Sequence, residues 1–297
     1  MLSILIPTYN YNITGLVESL SNQLKNTPLP FEILVLDDCS SNIEITEVNK
    51  SIEKLANCYY LQNTENKGRT ATRQALAEKS QYDWLLFMDA DVLPKNTDFI
   101  QKFDIENQIA DVVFGGISYQ ETPPESNKLL RWKYGKAREA KPVSEREKIP
   151  FLSLISGCIL IKKTNFIKAN AFHKNVYGAD VLFAQNLEKQ KTNVLHNDNP
   201  VIHLGLETNE SFISKTKKGL ESLLYFEKEG LIPEDYRPIQ KAFLSLKRNY
   251  FLKLFIFTIK TFKTQIEKNL KGKNPSLFLF DLYRLYYFAQ LQKDLES

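Results

Sequence analysis

Trp84-Leu85-Leu86-Phe87-Met88-Asp89-Ala90-Asp91 decides how the rest of the chain is read. Five apolar residues lead directly into two carboxylates spaced i, i+2. An uninterrupted apolar run of this length reads as a strand buried on both faces. An unpaired charge inside such a strand is strongly unfavourable, so Asp89 and Asp91 belong where the strand ends and the sheet opens. In an open α/β sheet that edge, outside the carboxyl ends of the strands, is where ligands bind. Two carboxylates there suit a hard divalent cation and the phosphates it would bridge.

Working outward, the same pattern repeats on the N-terminal side. Leu2–Ile6 is a short apolar run ended by Pro7, with Thr8-Tyr9-Asn10 as its exit. Phe31–Leu36 is a second buried strand ending in Asp37-Asp38-Cys39-Ser40-Ser41, and Cys58–Gln62 is a third, shorter one. Helical spacing fills the gaps at Thr14–Leu24, Glu44–Leu55 and Thr70–Lys79, the last preceded by the turn Asn66-Lys67-Gly68-Arg69. This β-α alternation predicts a parallel, doubly wound sheet. Parallel strands place three polar strand ends, Pro7–Asn10, Asp37–Ser41 and Asp89–Asp91, on one edge.

Further along, Asp98–Asn107 reads as a helix and Asp111–Gly116 as a strand with a close-packed exit. Leu129–Lys141 reads as a basic helix and Pro142–Pro150 as a charged, mobile loop. Leu152–Ile161 contains Ser156-Gly157-Cys158 and ends β-rich. Tyr177-Gly178-Ala179-Asp180 opens an amphipathic helix, and Asn193–Leu195 and Pro200–His203 read as short strands. From about residue 209 the alternation gives way to long helices at Phe212–Glu229, Pro238–Phe262 and Ser276–Leu295. The expected domains are therefore 1–208, which binds ligand and carries the chemistry, and 209–297, a helical C-terminal extension.

Composition narrows the function classes. A net charge of +4 on 297 residues is too small to argue nucleic-acid binding. The excess is concentrated between Lys241 and Lys273. Three widely spaced cysteines, Cys39, Cys58 and Cys158, suggest neither a metal site nor a disulfide framework, and a reducing, cytoplasmic setting is expected. Met1–Pro7 lacks the features of a signal peptide, and no apolar run is long enough to span a bilayer. The basic, aromatic Pro238–Phe262 segment has two readings. One is a helix packing its apolar face on the α/β domain. The other is peripheral association with the inner face of an anionic membrane.

With these residues placed, the chain resembles the family-2 glycosyltransferases of GT-A fold. Ser3-Ile4-Leu5-Ile6-Pro7-Thr8-Tyr9-Asn10 is similar to the family's opening strand. Glu32-Ile33-Leu34-Val35-Leu36-Asp37-Asp38-Cys39-Ser40 is similar to its second, with Cys39 where Gly is usual. Asn66-Lys67-Gly68 with Arg73 resembles its Asn-x-Gly segment and following Arg, and Asp89-Ala90-Asp91 its DxD motif. Gly157–Ile161 resembles the acceptor-side strand, Asp180 falls where the family has a Glu-Asp pair (Ala179-Asp180 here), and Val201-Ile202-His203 resembles a late strand ending in His. The resemblance covers about residues 1–205 and implies an α/β fold of GT-A type, a doubly wound, mostly parallel sheet with a C-terminal helical extension.

The resemblance and the chemistry of the residues together suggest roles. Asp91 would ligate Mg²⁺ or Mn²⁺, Asp89 would contact the ribose or the metal, and His203 could complete the metal site. Asp38 would accept the N3–H of uracil and Tyr9 would stack on the base, with Pro7 contributing backbone contacts. Arg69 or Arg73 would clamp a phosphate or fix an Asp. Asp180 would be the general base of an inverting transfer from a nucleotide-diphosphate sugar, with UDP expected, to a glycan or lipid-linked acceptor. Each residue also has a structural reading. These are a solvated turn for the Asp89–Asp91 pair, a helix cap for Asp38, rim packing for Tyr9 and a solvated helix face for the arginines. For Asp180 the structural reading is favourable first-turn chemistry, and for His203 a hydrogen-bonded histidine. His173 and His196 read as surface or loop. A sugar-phosphate nucleotidyltransferase and a GT-A scaffold that binds nucleotide without turnover are the alternative functions.

Overall fold

The computed structural model describes residues 1–25, 27–171 and 176–296; His173 lies outside them. The chain divides into two compact units. The first comprises Met1–Gln120, Glu139–Asn175 and Phe183–Gly205. The second comprises Glu121–Arg138, Val176–Leu182 and Leu206–Ser297. In chain order the elements begin β1 (Leu2–Thr8), α1 (Thr14–Leu24), β2 (Phe31–Asp37), α2 (Ile43–Lys50), β3 (Cys58–Gln62), α3 (Arg69–Lys79), β4 (Trp84–Met88), β5 (Val92–Pro94), β6 (Val112–Phe114) and β7 (Ile117–Ser118). They continue α4 (Leu129–Tyr134), α5 (Val143–Arg146), β8 (Cys158–Lys162), α6 (Lys163–Ala169), α7 (Asp180–Lys189), β9 (Val194–His196), β10 (Val201–His203), α8 (Asn209–Lys228), α9 (Pro238–Arg248), α10 (Leu252–Lys271) and α11 (Leu277–Glu296).

The first unit is built on a seven-stranded sheet of order β3-β2-β1-β4-β8-β6-β9. The strands β3, β2, β1 and β4 run parallel, as the alternation predicts, and β8 is antiparallel to both β4 and β6. β4 lies at the middle of this sheet. Its side chains alternate between two buried faces. Leu85 and Phe87 join Leu5, Leu34, Leu36, Val112, Ile159 and Ile161 on one face, against Leu76 of α3, Phe166 of α6 and Phe183 and Leu187 of α7. Leu86 and Met88 are equally inaccessible on the other. Burial on both faces is why the strand reads as continuous apolar sequence rather than alternating. A Leu→Ala truncation here costs about 2–5 kcal/mol.

A second, three-stranded sheet of order β5-β10-β7 sits just past the end of β4. β10 pairs antiparallel with β5, with His203 opposite Val92, and parallel with β7. This small sheet is what carries a residue more than a hundred positions away to the Asp89–Asp91 turn.

Several local expectations change. Asp98–Asn107 is not one helix but two 3₁₀ turns, Gln101–Phe103 and Ile105–Asn107, separated by Asp104 in the left-handed region. Its helical spacing reflects burial of Phe99 and Phe103 one turn apart, ring edge against face. Leu129–Lys141 is shorter than expected as an α-helix, passing into a π turn at Gly135–Glu139. Residues 142–150 are not a free loop. They contain α5, whose Arg146 is 2% exposed and donates to the carbonyls of Phe114 (2.9 Å), Asn197 (2.9 Å) and Lys141 (3.0 Å). His196, expected at the surface, is buried beside it: Arg146 Nη1 donates to Nδ1 at 3.2 Å, and Nε2 donates to Pro150 O at 3.1 Å. Charge density made this segment look solvated, whereas one guanidinium in it satisfies carbonyls at a strand exit.

In the second unit Leu130 of α4, Phe212 and Ile213 of α8, Ile259, Ile266 and Leu270 of α10, and Phe280, Tyr283 and Tyr286 of α11 form a common core. The expected Pro238–Phe262 helix is broken at residues 249–251 into α9 and α10. No Gly or Pro marks the break, and Asn249 after Lys247 and Arg248 is a weak stop signal beside the continuing apolar spacing. Among the described residues no helix is long and apolar enough to cross a membrane.

Candidate functional site

The carboxyl ends of β1, β2 and β4 open into a cleft of about 450 Å³ lined by Pro7, Tyr9, Tyr11, Asp38, Arg69, Asp89 and Asp91, among others. The exit loops of β1 and β2 are tied together at its rim. The Asn10 backbone N–H donates to Ser40 Oγ at 2.7 Å, and Asn42 N–H donates to Asn10 Oδ1 at 2.9 Å. Asn10 and Cys39 both take left-handed conformations there, with φ of 51° and 64°. Asn tolerates this region better than Cys does.

The two acids at the end of β2 divide their work. Asp37 is fully buried, accepts from Ser40 N–H at 2.8 Å and takes the Tyr60 hydroxyl hydrogen bond. It is structural, and burial first and its neighbour Asp37 second push the Tyr60 phenol well up. Asp38 faces the cleft at the start of the loop. Its carboxylate accepts from Asn63 Nδ2 (2.8 Å), Lys67 N–H (2.9 Å) and Gly68 N–H (2.8 Å). The Asn66–Gly68 turn therefore wraps around Asp38, and Gly68, with φ of 81°, supplies the left-handed step that aims its N–H at the carboxylate.

α3 starts at this turn and delivers two arginines one helical turn apart to Asp89. Arg69 reaches it with Nη2 at 2.8 and 3.0 Å from the two carboxylate oxygens, and Arg73 Nη2 lies 2.8 Å from Oδ1. Both also bind Ser156, Arg69 through Oγ at 3.0 Å and Arg73 through the carbonyl. Ser156 and Gly157 lie alongside because β8 pairs with β4, and Asp89 N–H donates to Gly157 O at 2.8 Å. Arg73 is nearly inaccessible and its guanidinium stands 5.3 Å from the Phe87 ring centroid, whereas Arg69 is 40% exposed in the cleft. Burial alone would raise the Asp89 carboxyl, but the two arginines outweigh it and hold it below the ordinary range.

Asp91 has a different environment. Burial raises its carboxyl, His203 offsets part of that, and the charge of Asp89 adds to it, so the group sits above the usual carboxylate range. His203 Nε2 is 3.6 Å from Asp91 Oδ2, placed there by the β5–β10 register, and Leu204 N–H donates to Asp91 O at 2.8 Å. Gly205 follows. A Cβ on it would stand 1.8 Å from Asp91 Oδ2, so the carboxylate occupies the space a side chain would fill. Tyr11 lies near enough that burial, and then the charge of Asp91, raise its phenol.

The donor set is compatible with a divalent cation. No group of three or more His, Cys, Asp or Glu side chains able to hold a metal occurs among the described residues. Asp91 and the His203 imidazole are adjacent, and Asp89 is occupied by arginines. A Mg²⁺-like ion takes one or two protein carboxylates and fills its remaining positions with phosphate oxygens and water; Asp91 beside an open cleft suits that habit, and the His203 imidazole would add a softer nitrogen ligand.

Of the residues singled out from sequence, Pro7, Tyr9, Asp38, Arg69, Asp89 and Asp91 line one cleft. Arg73 backs Asp89 and His203 flanks Asp91. Asp180 is the first residue of α7, in the second unit. Tyr11, Ser156 and Gly205 went unnoticed. For Gly205 a signal existed: a glycine just past a strand marks close approach of another group. Tyr11 and Ser156 carry no local signal, because only the folded sheet edge brings them in.

A cleft at the carboxyl edge of a mostly parallel α/β sheet, with one carboxylate wrapped by backbone amides and two more at the end of the central strand, is the ligand-binding edge of a GT-A-type fold. The glycosyl transferase family 2 description matches residues 3–167, more than half of the sequence, and the chain belongs to that family. An uncharacterized glycosyltransferase of Haemophilus influenzae is 24% identical over 248 residues, covering 78% of this chain and 90% of the relative. A second one from that organism is 36% identical over 93 residues, covering 31% of this chain and only 29% of the relative's own length. Among solved structures, the mannosyltransferase PcManGT from Pyrobaculum calidifontis, in complex with GDP-Man and Mn²⁺, shares the fold with a TM-score of 0.60 at 14% identity. That match covers 99% of this chain and 86% of the other. Mannosyl-3-phosphoglycerate synthase from Rubrobacter xylanophilus gives 0.53 at 12% identity, over 79% and 76%.

Proposed function

We propose that this chain transfers a sugar from a nucleoside-diphosphate donor, with uridine the expected base, to a hydroxyl of a glycan or lipid-linked acceptor, inverting the anomeric carbon. The observation that carries this reading is the convergence of Asp38, Arg69, Asp89 and Asp91 on one cleft. Asp38 already holds three N–H donors, and a carboxylate offers about four lone-pair positions. The remaining one suits a base presenting an N–H, as uracil does, and disfavours cytosine, which presents an acceptor at that position.

The chemistry is a single displacement. The acceptor oxygen bonds to C1 as the bond from C1 to the diphosphate oxygen breaks, and Asp180 takes the hydroxyl proton. A divalent Mg²⁺ or Mn²⁺ held by Asp91 and His203 would neutralise charge on the departing diphosphate. Arg69, paired with Asp89, is 40% exposed in the cleft, where its positive charge would attract the phosphates of a bound donor. Arg73 holds Asp89 in place for the ribose. The Mn²⁺ and GDP-Man bound by PcManGT support a cation and a nucleotide sugar as a ligand pair for this fold. The free thiols of Cys39, Cys58 and Cys158 fit a reducing, cytoplasmic setting, which is part of the proposal.

The test is a panel of UDP- and GDP-sugars with and without Mn²⁺, read by thermal shift and then by turnover. Asp91→Ala removes the metal-dependent shift. Asp180→Asn keeps donor binding while transfer falls by about 10²-fold or more. Unchanged metal-dependent binding in the first variant, or wild-type transfer in the second, overturns the assignment.

A further inference from the structure

We infer that the junction of α9 and α10 is a docking surface for an anionic lipid bilayer, a property separate from the donor chemistry proposed above. Tyr250 is 93% exposed, and Phe251, Leu254 and Phe257 are each more than half exposed. Phe251, Leu254 and Phe257 recur at helical spacing, so they share one face of the first turns of α10 with Tyr250 at its tip. Isolated exposed apolar residues are ordinary, but a contiguous aromatic patch marks an interaction site.

The backbone supplies a second, independent observation. α9 ends in a Schellman motif, with Phe251 N–H donating to Leu246 O at 3.1 Å and Tyr250 in the left-handed position at φ of 62°. That position normally takes glycine. The same chain obeys the rule after α8, where Leu231 N–H donates to Phe226 O at 2.9 Å and Gly230 holds the left-handed step. Tyr250 thus combines an unfavourable backbone conformation with a fully hydrated ring. The motif requires the conformation but not a tyrosine in it, and a ring that sits at a bilayer interface accounts for both the residue chosen and its exposure.

Charge selects the occupant. Residues 241–273 carry nine Lys or Arg against the single acid Glu267. Lys247 and Arg248 flank the tip, and Lys253 and Lys260, seven apart and exposed, line one edge of the apolar face. A second copy of this surface would bring like charges together, whereas an anionic headgroup layer is complementary. The helices are interrupted by these cations, so the segment lies on the bilayer and does not cross it.

The experiment uses the full chain with phosphatidylcholine vesicles made with and without phosphatidylglycerol. The wild type co-sediments with the anionic vesicles and is released by salt. Tyr250→Gly combined with Phe257→Gln lowers partitioning by about tenfold or more, while the thermal midpoint stays level or rises because glycine relieves the left-handed residue. Lys253→Glu with Lys260→Glu abolishes the preference for anionic vesicles. A wild type that stays in the supernatant, or an apolar double variant that partitions like wild type, overturns the inference. So does a lipid-free dimer in sedimentation velocity that Tyr250→Gly disperses, since the occupant is then a second copy.

Discussion

Replacing Gly205 by Ala isolates the role of Asp91 without touching it. The added Cβ would stand 1.8 Å from Asp91 Oδ2, 2.7 Å from Cγ and 2.9 Å from Cβ, and real contacts stay beyond 3.0 Å. The carboxylate oxygen must therefore move by about 1 Å or more. Gly205 is not in the left-handed region, so alanine meets no backbone penalty and slightly restricts the unfolded chain, a gain of about 0.4–1 kcal/mol against which the crowding works. The two worst contacts, Oδ2 and Cγ, belong to a carboxylate that can rotate away, and Cβ at 2.9 Å needs a shift of only about 0.1 Å, so the fold yields at little expense and the thermal midpoint stays near wild type. A ligand displaced by about 1 Å can reduce turnover by about 10²-fold, or roughly 2.7 kcal/mol of transition-state stabilisation. The assay pairs thermal unfolding with Mn²⁺-dependent UDP binding by calorimetry and with turnover on the best donor. A Gly205→Ala protein that binds Mn²⁺ and UDP as tightly as wild type would falsify the view that Asp91, held against Gly205, is the metal-side carboxylate.

Arg73→Met removes a nearly inaccessible cation that pairs with Asp89 and stands over Phe87. Removing one partner of a buried pair costs about 3–5 kcal/mol, and because Asp89 keeps Arg69 the expected loss is about 2 kcal/mol, seen as a drop of several degrees in the thermal midpoint; no drop refutes it. His196 should make stability pH-dependent. Burial and then Arg146 lower its folded-state pKa, so between that value and about 6.5 the unfolded chain binds more protons, and stability falls as pH falls through this window. In urea unfolding from pH 7 to 5, His196→Gln should flatten that slope; an unchanged slope in the variant assigns it elsewhere. Cys39→Gly should raise stability by about 1 kcal/mol by relieving a left-handed non-glycine residue, measurable in the same titration; a loss of stability would mean that the thiol's contact with Thr64 O matters more.

Much of the cleft edge was legible because it depends on local pattern. Apolar runs ending in carboxylates located β2 and β4, and parallel alternation placed their ends together. The Asn66–Gly68 turn was visible as a turn, but its target was not. That two backbone amides close on Asp38 follows from the β2–β3 register and the exit of the chain into α3. Arg69 and Arg73 were visible as candidates, yet their joint grip on Asp89 required α3 to lie beside the end of β4. His196 and Arg146 were misread because surface-like composition concealed two groups that satisfy each other and nearby carbonyls in the interior. The α9–α10 break was faint because tyrosine occupies a position that glycine would have announced.

By itself the sequence determined the strand and helix periodicities, the central place of Trp84–Met88 and the need for Asp89 and Asp91 to lie outside it. These are consequences of desolvation and side-chain period, which act over a few residues. Only the tertiary structure decided which carboxylate is held ionised by arginines and which is raised by burial. Asp89 meets two arginines delivered by α3, while Asp91 meets an imidazole and a glycine delivered by β10 and its exit. Two acids separated by a single alanine acquire opposite shifts because their partners come from segments twenty and more than a hundred residues away, and no local pattern encodes that meeting.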